Sequence, residues 1–193
     1  KVLADAGAAG IPAGTRLADG GEDAEAYADA IATYLGLGVS RTTDLGNSIV
    51  TWSSGRDQAR NLFSRQAIPM AWDFVEVCPF AGAAGDVSIS TQSMAKALES
   101  NGRRPVLAGR SRQAAAQGAL EPGSLLSTDP PYYDNIGYSD LSDFFYVWLR
   151  RSLQVIHPVQ FGTLLVPKAE ELVANPYRHD GKEGRSEERR VGK

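Results

Sequence analysis

One cysteine, Cys78, and two histidines among 193 residues exclude several kinds of chemistry at once. A lone cysteine builds no disulfide framework and leaves no CxxC pair for a zinc ribbon, so no metal site is expected. His157 and His179 stand isolated and read as structural or exposed rather than catalytic. No apolar run approaches a membrane span, and the opening KVLADAGAAG lacks the basic start, long apolar centre and cleavage pattern of a signal peptide. No membrane partner is expected, and the cytoplasm is the default location. A surplus of positive charge is missing as well: a net charge of -3 is unlike a free-standing DNA binder, whose phosphate contacts need clustered Lys and Arg. That implies a fragment or a local patch. Arg103, Arg104, Arg110 and Arg112 form one candidate patch and Arg150 with Arg151 another, although such groups are more commonly a solvated face.

What is present suits a globular chain: 42% of residues are hydrophobic and 22% charged, enough for one domain with a real core. Residues 1–21 are rich in Ala and Gly without a steady period and read as a poorly ordered lead-in. Glu22 to Leu37 forms an amphipathic helix with Tyr27, Ile31, Tyr34 and Leu35 on its core stripe. Residues 40–54, containing Ile49, Val50 and Trp52, are ambiguous between strand and helix. Arg56 to Gln66 has helical spacing at Ala59, Leu62 and Phe63, and Met70 to Val77 alternates like a strand. Helices follow at Thr91 to Ser100 and Arg112 to Gln117, with a short strand at Pro105 to Ala108 between them. Helix and strand thus alternate over residues 22–178, which predicts a layered α/β domain.

The stretch that speaks of function is LLSTDPPYYDNIGYSDLSDFFYVWLRR, residues 125–151. Ser124 to Thr128 is a short apolar run stopped by two prolines, read as a buried strand ending at Asp129. In open α/β sheets, ligands bind just beyond such strand tips. Pro130 and Pro131 stiffen the loop and remove two N–H groups, so the backbone offers carbonyls while Asp129 adds a carboxylate and Tyr132 a stacking face. Two acceptors and an aromatic plate suit a planar ring bearing an exocyclic NH₂. Such an amino group is a poor nucleophile, and acceptors aimed at its N–H groups favour the positive charge that builds on nitrogen as it attacks an electrophile. The base must first be flipped from the duplex and stacked, a role open to Tyr132 and Tyr133. The same four residues also satisfy the rules for an ordinary turn.

DPPY after an apolar strand resembles the catalytic loop of amino-group DNA methyltransferases, which transfer a methyl from S-adenosylmethionine to N6 of adenine or N4 of cytosine. In that family Asp at the first position goes mostly with adenine. STDPPYYDNIGYSDLSDFFYVWLRRSL, AIPMAWDFVEV and TLLVPKAEELV are similar to a narrower group, the large adenine-specific DNA methylases that contain a zinc ribbon, over roughly residues 27–178. The resemblance implies an incomplete Rossmann-like methyltransferase fold, S-adenosylmethionine as cofactor and DNA as partner. It implies Asp129, Pro130, Pro131 and Tyr132 as the catalytic loop; Asp134, Asn135 and Tyr138, close by in the chain, either contact the base or nucleotide together with Tyr133 or form turns. The zinc part of the group is absent here. The start at Lys rather than Met suggests that segments of a longer parent are missing, and the charged residues 179–193 read as a disordered, non-native tail.

Residues 79–86, PFAGAAGD, resemble the PFxGxG-like donor loop of the same enzymes, with Phe80, Gly82 and Gly85 as candidate cofactor contacts. The glycines are one residue too far apart, Cys78 stands where that loop usually carries Asp, and one βα step is missing before Asp129. A glycine-rich surface turn is the competing reading, with the donor loop upstream in the parent. The helix at 139–154, capped by Ser139 or Ser142, is apolar around much of its circumference and should be deeply packed. A strand at Phe161 to Val166 and a short helix at Lys168 to Ala174 follow. N6-adenine methylation of DNA is the leading expectation. The rivals are methylation of cytosine N4, RNA or a glutamine side chain, and a catalytically inactive fragment that binds DNA or a partner.

Overall fold

The computed structural model describes residues 1–102, 122–129, 136–169, 171 and 173. The chain divides into two units, Lys1–Arg103 with Leu141–Val166, and Arg104–Asp140 with Pro167–Lys193. Secondary structure is a mixture of helices and a small sheet.

In the first unit the expected lead-in is ordered by glycines. Helix α1, Val2–Ala8, ends where Gly10 takes φ +75°, with Gly10 N–H donating to Gly7 O and Ile11 N–H to Ala6 O. Those two bonds are a Schellman closure, which needs the left-handed conformation that glycine adopts at least cost. Gly20 at φ +79° closes the 3-10 turn Leu17–Asp19 in the same manner. Helix α2, Ala24–Thr43, follows, its first N–H groups satisfied by the carbonyls of Pro12 and Ala13. Its buried face differs from the expected one: Ala24, Ala26, Asp29, Gly36, Gly38 and Thr43 are inside, while Tyr27, Tyr34 and Leu35 face out. Close approach explains the inversion. A Cβ on Gly36 would stand 2.9 Å from Leu153 side-chain carbons, and one on Gly38 would stand 3.0 Å from Met94 Cε.

The expected helix at 56–66 is instead a turn structure. Strands β1, Trp52–Ser53, and β2, Gln58–Ala59, pair antiparallel with Trp52 opposite Ala59. Asp57 at φ 51° and Gln66 at φ 55° lie in the left-handed region that no α-helix contains. Asp44, just past α2, fastens the stretch that follows: its Oδ1 accepts from Leu62 N–H at 3.1 Å and its Oδ2 from Asn61. The expected strand at 70–77 is irregular, tied to its surroundings by Val75 N–H to Val50 O at 2.9 Å. Its alternation is real, but no neighbouring strand pairs with it among the described residues.

Helix α3, Val87–Gly102, begins four residues before the expected Thr91 because Asp86 caps it. Helix α4, Tyr138–Leu153, lies within one residue of its expected bounds, with Asp140 in its first turn and Arg150 and Arg151 in its last, each favourable to the helix dipole. It is not buried all round. Ser139, Tyr146 and Leu153, seven residues apart, form its buried stripe, and Val147 and Trp148 are exposed. Tyr146 O–H donates to Thr163 O at 2.8 Å, and Phe63, Phe144 and Phe145 meet edge to face at 5.2–6.1 Å. Residues 161–166 form no strand, because Asp143 and Tyr146 side chains take the hydrogen bonds that a ladder would use.

In the second unit the described residues gather around the start of α4. Glu171 accepts from Ser139 N–H at 2.8 Å and from its hydroxyl, and Lys168 Nζ donates to Ser139 O at 3.0 Å beside Asp140 at 3.6 Å. Ser139 is therefore not the cap itself; the cap is a carboxylate from 32 residues later. Ser124 to Thr128 is not a buried strand: Leu125 is 97% exposed and no ladder partner stands beside it among the described residues.

Candidate functional site

Asp129 closes the irregular stretch after Gly123, and the residue is exposed. Pro130, Pro131, Tyr132, Tyr133, Asp134 and Asn135 lie outside the described residues. Tyr138, the last of the nucleotide-contact candidates, is the exposed first residue of α4, so the clamp made by Glu171 and Lys168 fixes where it starts. The Arg103, Arg104, Arg110 and Arg112 patch is likewise outside the described residues. Of the second patch, Arg151 is exposed, whereas the Nε of Arg150 is buried and without a hydrogen-bond partner among the described residues.

The glycine-rich loop is described in full. Gly82 and Gly85 take φ +69° and +92°, conformations that L side chains rarely adopt. The Gly82 amide does not face an open site. Asp86 is buried, and its carboxylate accepts from Gly82 N–H at 2.6 Å, Ser88 N–H and Oγ at 2.6 Å, and Ile89 N–H at 3.4 Å. The Ser88 hydroxyl first, then the Gly82 amide, holds the Asp86 carboxyl below the usual carboxylate range. The start of α3 thus has an anion of its own where a phosphate or a ligand carboxylate would otherwise be held. Phe80 is 84% exposed. Gly85 has a packing reason to be glycine: a Cβ there would stand 2.4 Å from Val77 Cγ1.

A cavity of about 670 Å³ opens beside this loop, lined by Gly85, Cys78, Pro79, Phe74 and Glu76, and across from them by Thr42, Thr43, Asn47 and Ser48. Its size falls in the usual range for small-molecule sites. The hydroxyls of Thr42 and Thr43 donate to α2 carbonyls, and Asn47 is held by Thr43 O and Ile49 N–H, so these walls are preset. Glu76, exposed at the wall, has no hydrogen-bond or ion-pair partner among the described residues. Of the three donor-loop candidates, Gly85 alone borders this cavity. Sequence reading missed Thr42, Thr43, Asn47 and Glu76. Glu76 carried a usable signal, an acid near the end of an alternating apolar stretch, whereas the α2 residues carried none.

No cluster of His, Cys, Asp and Glu suited to a metal ion occurs among the described residues, and no helix among them is long and apolar enough to cross a membrane. Comparison with protein-family models, with curated proteins and with solved structures gave no match.

Proposed function

We propose that this chain carries the catalytic loop of an S-adenosylmethionine-dependent methyltransferase that acts in the cytoplasm on N6 of adenine in DNA. The observation that carries the reading is the run Asp129-Pro130-Pro131-Tyr132, a carboxylate, amide carbonyls stripped of neighbouring N–H donors, and an aromatic ring in four consecutive residues. The Asp129 carboxylate and the Pro130 carbonyl accept from the two N–H groups of the target amine and favour the charge that builds on its nitrogen. Pro131 keeps the loop stiff and Tyr132 stacks on the flipped base, with Tyr133, Asp134, Asn135 and Tyr138 available to the nucleotide. The donor supplies an electrophilic methyl on a sulfonium. The cavity beside Gly85 has room for it, and Glu76, without a partner among the described residues, is an acceptor for ribose hydroxyls there. In this reading the fold is Rossmann-like and incomplete, with further strands supplied by a longer parent. Cytosine N4, RNA and glutamine amides satisfy the same loop chemistry and are separated by substrate competition.

A binding module without catalysis is the second reading, and one observation favours it: the Asp86 carboxylate already takes the Gly82 amide and the first amides of α3. The deciding experiment follows labelled methyl transfer to adenine-containing DNA. In the full-length protein the expected outcome is that Asp129→Ala abolishes transfer while the circular dichroism spectrum is unchanged, as suits an exposed side chain. Transfer retained by that variant overturns the catalytic assignment.

A further inference from the structure

Apart from both candidate places, a cleft of about 370 Å³ runs beside the β1–β2 hairpin, with Trp52, Ser64, Arg65, Met70, Trp72 and Asp73 among its walls. Trp72 is 95% exposed and Met70 94%, and Trp52 is half exposed. Leaving rings of that size in water forgoes a large burial gain, so their placement calls for an occupant. Charge says which. Arg56, Arg60 and Arg65 are all exposed, and none of them makes an ion pair among the described residues. Residues 52–74 carry these arginines against Asp57 and Asp73, a local positive balance within a chain of net charge -3. An apolar peptide would cover the rings but leave the guanidinium groups without counter-charges. A duplex would meet the guanidinium groups but hide the faces of its bases from the rings.

We propose that this cleft binds an unpaired nucleic-acid strand. The bases stack on Trp52 and Trp72, Arg56, Arg60 and Arg65 follow the phosphates, and the Ser64 hydroxyl and Asp73 carboxylate meet base edges. This site is independent of the methyl-transfer reading, because it requires neither Asp129 nor a methyl donor.

The test is a tryptophan-fluorescence titration of the full chain without donor, using decathymidylate and an abasic strand of the same length, in a Trp148→Phe background that removes unrelated emission. Decathymidylate is expected to quench emission and to bind about tenfold or more tightly than the abasic strand, with Trp72→Ala weakening it about tenfold. Arg65→Ala is expected to reduce the dependence of binding on salt. Equal affinity for the two strands, binding indifferent to Trp72→Ala, or no binding by the folded chain overturns the proposal. An apolar dye taken up by the cleft while decathymidylate is not bound overturns it too, in favour of an apolar partner.

Discussion

Asp29 is a buried carboxylate surrounded by donors: Arg16 Nε at 2.9 Å, an Arg16 terminal nitrogen at 2.7 Å and Leu17 N–H at 3.2 Å. Burial alone would push its carboxyl up, but the hydrogen bond from Arg16, aided by the Leu17 amide, wins and holds it below the usual range. A folded pKa below the unfolded one contributes stability that is fully present above the ordinary carboxylate range and is lost as pH falls through the folded value. Asp29→Asn should therefore lower stability at neutral pH by about 1–3 kcal/mol, a figure resting on the hydrogen bonds because Arg16 is partly solvent-screened. In urea melts the gap between variant and parent should narrow in acid; a gap independent of pH would contradict the assignment. Asp29, Asp86 and Asp129 share one side chain and differ in what surrounds it. Asp129 stood out in the sequence because two prolines follow it. Asp86 was legible only as the end of a glycine-rich loop, and Asp29 not at all, since its partner Arg16 sits in a segment without periodicity.

Helices α2, α3 and α4 were legible because caps and periodicity act within one segment, whereas α1 fell in a stretch read as a lead-in and residues 56–66 read as a helix form turns. Tyr138–Leu153 lies within a residue of its expected place. The inside of α2 was not legible: hydrophobic periodicity looks for large side chains, and here the buried face is made of Ala and Gly. Gly36→Ala tests that face. Alanine gains up to about 1 kcal/mol in helix propensity. Its Cβ, however, would come within 3.0 Å of three carbons of Leu153, which is itself buried and has little room to move. Overpacking should win, giving a net loss of about 1–2 kcal/mol in chemical denaturation. A stabilised Gly36→Ala would mean that Leu153 repacks freely and that α2 is not held by this contact. The His157 ring reinforces the same region. The Thr33 hydroxyl gives its proton to Asp29 O at 2.7 Å, so the His157 Nε2, 2.9 Å away, must be the donor to Thr33.

Among the described residues the expected α/β composition is met coarsely, as helices with a two-stranded ribbon. The finer expectation of a layered sheet rested on strands at 70–77, 105–108, 124–128 and 161–166, of which 105–108 lies outside the described residues, and a strand is a property of two segments. Leu125, Leu126, Met70 and Trp72 fulfil a strand's residue pattern, but the hydrogen bonds must come from a neighbour, about which the pattern of one segment is silent. The candidate site divides in the same way. Asp129 and the glycine loop were found from local chemistry, whereas the cavity beside Gly85 needed the end of α2, more than 30 residues earlier in the chain.

Between α4 and Lys168 the chain passes through an exposed turn at Pro158, Val159 and Gln160. The segments on either side of that turn are joined by Tyr146 to Thr163, Asp143 to Val166, Ser139 to Glu171, and Lys168 to both Ser139 and Asp140. A peptide bond cut at Val159 therefore severs the covalent path without severing these bonds. The nicked protein should elute as one species in native size exclusion and separate into two only in denaturant. Residues 1–158 and 159–193, produced apart, should find each other again, so that the chain is a natural candidate for reassembly from two unequal pieces.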